Sequence, residues 1–163
     1  MSIDEAKRFD ALDKYDQAII RCLSADGRIS MTDLAVKVGL SKTPVIARVK
    51  RLETEGIIAG YRAILSPIRL GLAHVAYVEL RLSDTREAAL QTFNKAARQV
   101  PEIEECHMIA GGFDYLLKVR THDIMGYRQV MAEKISALPH VASTSTYVAM
   151  EVVKDGHLAF STP

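Results

Sequence analysis

Apolar residues first recur at helical spacing from Leu12. Leu12, Tyr15, Ile19 and Leu23 share one stripe, the mark of a helix packed along one side. The residues before it, up to Ala11, mix charges without a period and predict a mobile arm. Asp26-Gly27-Arg28 interrupts the pattern with turn chemistry. Ser30-Met31-Thr32-Asp33 then has the form of a capping box with the shorter acid in its fourth place, so a second helix opens at Ser30. Its stripe is Leu34, Ala35 and Val38, and Gly39 supplies a stop. One residue later Ser41 is placed to cap a third helix, with Pro44 in the first turn, where a missing N–H does no harm. That helix runs to about Glu55, and Gly56 ends it. A packing helix before two helices joined at a tight glycine turn predicts a helix-turn-helix. Ile57 to Leu65 reads as extended chain, a wing or a linking strand, and Ser66-Pro67 as the joint between two domains.

The second half has a different rhythm. Val75 to Leu82 alternates, with Ala76, Val78, Leu80 and Leu82 on one face and Tyr77, Glu79 and Arg81 on the other. Arg86 to Val100 is helical, with Leu90, Phe93, Ala97 and Val100 in one stripe. Ile103 to Ala110 reads as a strand, and Gly111-Gly112 turns the chain. Tyr115, Leu117 and Val119 then oppose Leu116, Lys118 and Arg120. A last helix buries Ile124, Tyr127, Met131, Ile135 and Leu138, and a strand runs from about Val141 to Val153. Two successive β-α-β runs match the split βαβ, or ferredoxin-like, pattern, so the fold class is α+β.

Composition adds limits. At 163 residues with 48% hydrophobic and 25% charged positions, the chain has the usage of a globular protein. No signal peptide and no membrane-length apolar run is visible, and Cys22 and Cys106 fit no paired zinc spacing. A reducing cytoplasm with two buried thiols is expected.

The net charge of +1 does not advertise nucleic acid, but its distribution is uneven. Residues 1–63 are net +2 and residues 64–163 net −1, and Ser41 to Leu52 holds Lys42, Arg48, Lys50 and Arg51 with no acid. At 100° per residue, Val45, Val49 and Leu52 converge on the packing side of the third helix. Thr43, Ala47, Lys50 and Arg51 fall opposite, with Arg48 at the margin. Short Thr and Ala let a backbone approach base edges, while long cations reach guanines or phosphates. The helix start at Ser41, Lys42, Thr43 and Pro44 adds partial positive charge. These positions are the candidate DNA contacts, and one such helix covers so few base pairs that a dimer is expected.

In the second half, Gly111-Gly112-Phe113-Asp114 admits two readings. Glycine N–H groups could approach a carboxylate while Asp114 meets an ammonium, or the segment is a plain hairpin turn with Asp114 accepting backbone N–H groups. Cys106-His107 is one adjacent pair on a strand, insufficient for metal ligation. His74, His122, His140 and His157 are scattered, and Ser143 to Thr146 have no acid–base partner, so no catalytic residue and no metal site is assigned.

Leu12 to Ile20, Asp26 to Ser30, Val38 to Val45 and Arg51 to Tyr61 together resemble the DNA-binding half of the Lrp/AsnC (feast/famine) family of prokaryotic regulators. Glu105-Cys106-His107, Gly111 to Lys118 and Thr144 to Val148 resemble its effector-binding half, so the likeness runs from about Leu12 to Lys154. The resemblance implies an arm and winged helix-turn-helix over 1–60, a linking strand and hinge over 61–68, a ferredoxin-like ligand-binding and oligomerisation domain over 69–155, and a tail over 156–163. It implies a cytoplasmic, sequence-specific transcriptional regulator, not an enzyme, that binds double-stranded DNA and has no membrane partner or cofactor. It also implies a homodimer assembling into an octamer, and an amino-acid effector such as leucine held between neighbouring subunits. By position, Met108, Gly111, Gly112, Phe113, Asp114, Tyr115, Ile124, Ser136, Tyr147, Val148 and Ala149 border that effector. Many members carry an acidic or polar residue where this chain has Gly112, and the Ser136 position varies. Two alternatives share the architecture: a tetrapyrrole-processing enzyme resembling siroheme decarboxylases, and an amino-acid-sensing accessory protein that reads no DNA.

Overall fold

The structure, a computed structural model, describes residues 9–154. Most of the predicted arm, and the tail from 156, lie outside the described residues. The chain divides into two compact units, one within the described residues up to Ile64 and the other over Leu65–Lys154.

The first unit holds α1 (Lys14–Ala25), α2 (Met31–Val38) and α3 (Lys42–Thr54), preceded by a 3-10 turn at Phe9–Ala11. The end of the arm is therefore structured: Phe9 packs on the core, and its carbonyl accepts from Gln17 Nε2 at 3.2 Å. Asp13 caps α1, taking the N–H groups of Tyr15 and Asp16 at 2.9 Å each. Ser30 caps α2 through its Oγ, which accepts the Asp33 N–H at 3.1 Å and donates to the Asp33 carboxylate at 2.6 Å. Aspartate is one methylene shorter than the usual glutamate, and it meets the hydroxyl of its cap.

Gly39 at φ 71° closes α2, with its own N–H on Val36 O and that of Leu40 on Ala35 O. This paired closure leaves only Leu40 and Ser41 before α3 and sets the tight turn. Ser41 has the extended backbone of a cap, but its hydroxyl makes no capping bond. Leu12, Ile19, Leu23, Leu34, Val38, Val45, Val49 and Leu52 form one buried cluster. Tyr15, expected in the stripe, is only half-buried, and Asp16 and Ile20 are buried instead.

Residues 59–66, within the stretch expected as a linking strand, are assigned to no strand among the described residues.

In the second unit β1 (His74–Leu82), α4 (Glu87–Ala97), β2 (Ile103–Met108), β3 (Tyr115–Thr121), α5 (Ile124–Val130) and β4 (Val141–Val148) run in βαββαβ order. The sheet order is β2-β3-β1-β4, with every pairing antiparallel. Ala76, Val78 and Leu80 of β1 and Tyr115, Leu117 and Val119 of β3 form one apolar face under Phe93 and Ala97 of α4 and Tyr127 and Val130 of α5. On the opposite face Lys118 and Arg120 are buried and ion-paired, while Tyr77, Arg81 and Tyr147 stand exposed. Lys118 lies 3.4 Å from both Glu104 and Glu105, and Arg120 bonds Glu104 and, at 3.2 Å, the Leu72 carbonyl.

Three expectations give way. β2 and β4 end earlier, at Met108 and Val148, and Ile124 is 49% exposed rather than core. The last helix passes into a π turn at Met131–Ile135. Its buried positions are Tyr127, Val130, Ile135 and Leu138, with Met131 half-buried against the same core, and the wide π step carries the buried face from 130 to 135. The cysteines also differ: Cys22 is half-buried and Cys106 is exposed.

A Cβ added at Gly39 would meet nothing within 4 Å, yet its φ of 71° is left-handed. Gly39→Ala is therefore expected to lower the unfolding free energy by about 1–2 kcal/mol from backbone strain alone. Urea denaturation checks this, and an unchanged midpoint contradicts it.

Candidate nucleic-acid interface and effector loop

Helix α3 is amphipathic in the predicted sense. Val45, Val49 and Leu52 are buried, while Ser41, Lys42, Thr43, Pro44, Ala47, Lys50 and Arg51 are exposed. Thr43, Ala47 and Lys50 lie directly opposite the core, so a short-residue strip ends in one cation. Ile46, at 43% exposure, adds an apolar position beside that strip.

The other cations of α3 do not stand alike. Arg48 Nη1 bonds Asp13 Oδ2 at 2.6 Å and Asp16 Oδ1 at 2.8 Å, and Arg51 Nη2 bonds Asp16 Oδ2. The Arg48 guanidinium also lies 5.5 Å from the centre of the Tyr15 ring. Arg48, assigned to DNA from its charge, is thus tied to α1. Asp13 and Asp16 were missed because the α1 pattern was read for apolar residues only. The signal was present: Asp16 lies four residues after Leu12 and three before Ile19, inside the buried stripe, and a charge there demands a partner.

The Asp13 carboxyl titrates below its ordinary value, first because the Asp16 N–H bonds it and then because Arg48 does. On the other flank Tyr61 donates to Glu53 Oε1 at 2.9 Å, and burial, then the Glu53 carboxylate, pushes its hydroxyl up to about 12. The Tyr61 ring also lies 3.6 Å from where a Cβ on Gly27 would stand. This anchors the extended chain to both α3 and the α1–α2 turn, a second contact that periodicity could not reveal.

In the second unit the β2–β3 connection exposes Gly111 and Gly112, with Phe113 and Asp114 half-buried. Leu82 N–H donates to Asp114 Oδ2 at 2.7 Å, and Asp114 N–H donates to Leu80 O at 2.8 Å. One carboxylate oxygen of Asp114 thus holds the loop against β1, as the turn reading had it. Tyr115, expected beside an effector, points into the core, 2% exposed with its ring centre 4.4 Å from that of Phe93.

The remaining predicted positions are dispersed. Tyr115 pairs with Leu80, near the end of β1, whereas Tyr147 and Val148 pair with Tyr77 and Ala76, near its start. Ile124 comes soon after Thr121, which pairs with His74 at that same start. At ~3.4 Å per residue the two groups lie more than about 10 Å apart along the sheet. Ser136 is exposed at the close of the π turn. Met108, Ile124, Tyr147 and Val148 are all large, apolar and exposed. One chain supplies two partial surfaces here, each open to solvent.

Known proteins divide in the same way. Residues 12–59 match a family model described as winged helix-turn-helix DNA-binding, and 75–158 one described as the Lrp/AsnC ligand binding domain. A proline dehydrogenase transcriptional activator of Rhodobacter capsulatus is 65% identical, covering 88% of this chain and 94% of the relative. The leucine-responsive regulatory protein of Escherichia coli (strain K12) is 44% identical, covering 90% and 89%. A transcriptional regulator of Neisseria meningitidis, solved as an L-Met complex, superposes with a TM-score of 0.83 at 28% identity, over 93% of this chain and 96% of that one.

The clamp on Arg48 has two measurable effects on stability. Arg48→Ala should cost about 1–3 kcal/mol by stranding part of two carboxylates, whereas Lys50→Ala should stay within about 0.5 kcal/mol; urea unfolding of the full chain separates them. The second is a pH dependence. Since the folded state holds Asp13 below 3.8, the unfolded chain takes up the proton first. Its stabilisation is complete above about pH 5 and is lost as pH falls through about 4 and below. Asp13→Asn should be less stable than the parent at about pH 6, by a gap that narrows as pH falls toward about 3. A constant gap would contradict this.

Proposed function

The chain belongs to the Lrp/AsnC family of transcriptional regulators, and from that membership we propose that its α3 enters the major groove and that an amino acid adjusts its action. Thr43, Ala47 and Lys50 face the bases, Ser41, Lys42 and Pro44 sit at the helix start beside a phosphate, and Arg51 stands at the groove edge. The single observation carrying this reading is the strip opposite the buried face of α3, small in its first half and cationic beyond, braced by α1 and α2. Arg48 serves by holding α3 to α1.

The effector lies where Met108 and the Gly111–Asp114 loop of one subunit meet Ile124, Ser136 and Tyr147–Ala149 of a neighbour. Support comes from the separation of these groups within a single chain and from their exposed apolar side chains. Glycine N–H groups receive the carboxylate of the amino acid, and Asp114 holds the loop in shape. Self-association is then part of the mechanism, with a dimer as the smallest unit and an octamer as the full assembly. No catalytic step is assigned, and the cytoplasm is the place of action. The relative named as a proline dehydrogenase transcriptional activator makes a proline dehydrogenase gene the first target to test, and proline, ahead of leucine or methionine, the first effector.

Electrophoretic mobility shifts on DNA upstream of such a gene, across a salt series, test the first part. Lys42→Ala and Lys50→Ala should each weaken binding, and Lys42→Ala should flatten the log K against log salt slope by about 1. Parent-like binding by both variants would remove α3 from the interface. For the effector, a thermal-shift screen of the twenty amino acids should raise Tm for one or a few, since a ligand of the native state stabilises it by mass action. A flat response at millimolar concentrations would contradict the sensing role.

A further inference from the structure

Asp16 places a charge where packing asks for none. Its side chain is 3% exposed, on a stripe shared with Leu12, Ile19 and Leu23, where an apolar residue would avoid the desolvation that a carboxylate suffers. What the charge reaches is α3: Arg48 Nη1 at 2.8 Å through Oδ1, and Arg51 Nη2 through Oδ2. The two arginines are held unequally. Arg48, 26% exposed, is also gripped by Asp13 at 2.6 Å and lies over Tyr15, so three groups keep it on α1. Arg51 is 47% exposed, bonded to Asp16 through Nη2, and stands at the margin of the outward strip of Thr43, Ala47 and Lys50.

We propose that Asp16 is a positioning residue for DNA reading. It holds Arg51 in a fixed plane at the edge of the groove-facing strip and withholds Arg48 from phosphates. The inference rests on the reading of α3 as the DNA-contacting helix. A guanidinium is a rigid planar fork, and a carboxylate bonded to one branch orients the other donors without consuming them. A guanine edge rewards that fixed plane, whereas a phosphate accepts a cation from many directions. Asp16 therefore trades non-specific attraction for selectivity. This gives a sign opposite to simple charge counting: removing an acid beside DNA raises general affinity, but here it should lower the specific kind.

The test uses the full-length chain, a duplex selected by the parent from a random-sequence pool, and a scrambled duplex of equal length. Asp16→Asn keeps the shape of the side chain and removes its charge. It should weaken binding to the selected duplex about tenfold, roughly one base pair's worth of discrimination, and leave scrambled-duplex binding equal or tighter. Its salt slope on the scrambled duplex should steepen by about one counterion as the released arginines find phosphates. A purely structural role would lower both affinities by one factor and leave the slope alone, and that result overturns the proposal.

Arg51→Gln, a change at an exposed position, keeps the question open to refutation should Asp16→Asn fold poorly. It should lose the same discrimination, and the double variant should be no worse than Arg51→Gln alone. Additive losses overturn the coupling. Lys50→Ala run in parallel separates the two levels. If it and Lys42→Ala both bind as the parent does, the α3 reading falls and the positioning role with it. If it is weakened while Asp16→Asn keeps full discrimination, the positioning role alone falls.

Discussion

A carboxylate buried between helices must keep its counter-charge, and Asp16 meets that demand with two arginines of α3. The pose of α3 on α1 is fixed through this ionic contact as well as through Val45, Val49 and Leu52. Apolar packing is tolerant of small rotations, because a leucine touches its neighbours through many weak contacts. A hydrogen-bonded ion pair is directional and admits fewer poses. The face that α3 offers is therefore defined by polar geometry laid over a hydrophobic base. The Gly39 closure keeps the α2–α3 turn short enough for that geometry to hold, and Tyr61 restrains the far flank through Glu53.

The second unit solves a different problem. Its sheet buries one face under two helices, and the charged opposite face is self-paired through Glu104, Glu105, Lys118 and Arg120. The Met108–Tyr115 end and the Ile124 and Tyr147–Val148 end of the unit lie toward opposite ends of β1. Joining such surfaces from separate subunits would let a small ligand report on assembly, which is a simple physical route from amino-acid concentration to DNA occupancy.

Much of this was legible in the sequence. Period-3.6 stripes located all three helices of the first unit, because each buries one face only, and alternation located β1 and β3. Gly39 and Gly56 were readable as stops, since both adopt the left-handed backbone that glycine tolerates best. What escaped was non-local. The partners of Arg48 lie 32 and 35 residues away, so its charge alone suggested DNA when its contacts bind it to α1. Ile124 fits the helical spacing to Tyr127 but, as the first residue of α5, stands 49% exposed. Tyr115 was drawn to the effector by position along the chain, although strand alternation with Leu117 and Val119 already pointed it inward. Asp114 accepts the Leu82 N–H through one carboxylate oxygen, a bond the turn reading expects.

If the strip opposite the buried face of α3 lies in the major groove, its middle must touch base edges. A photo-crosslinking amino acid at Ala47, midway along that strip, tests this most directly on a selected duplex. Crosslinks to bases within the protected site are expected, mapped to one or two positions per half-site. Crosslinks confined to flanking DNA, or none from a variant that still binds, would contradict groove entry by α3.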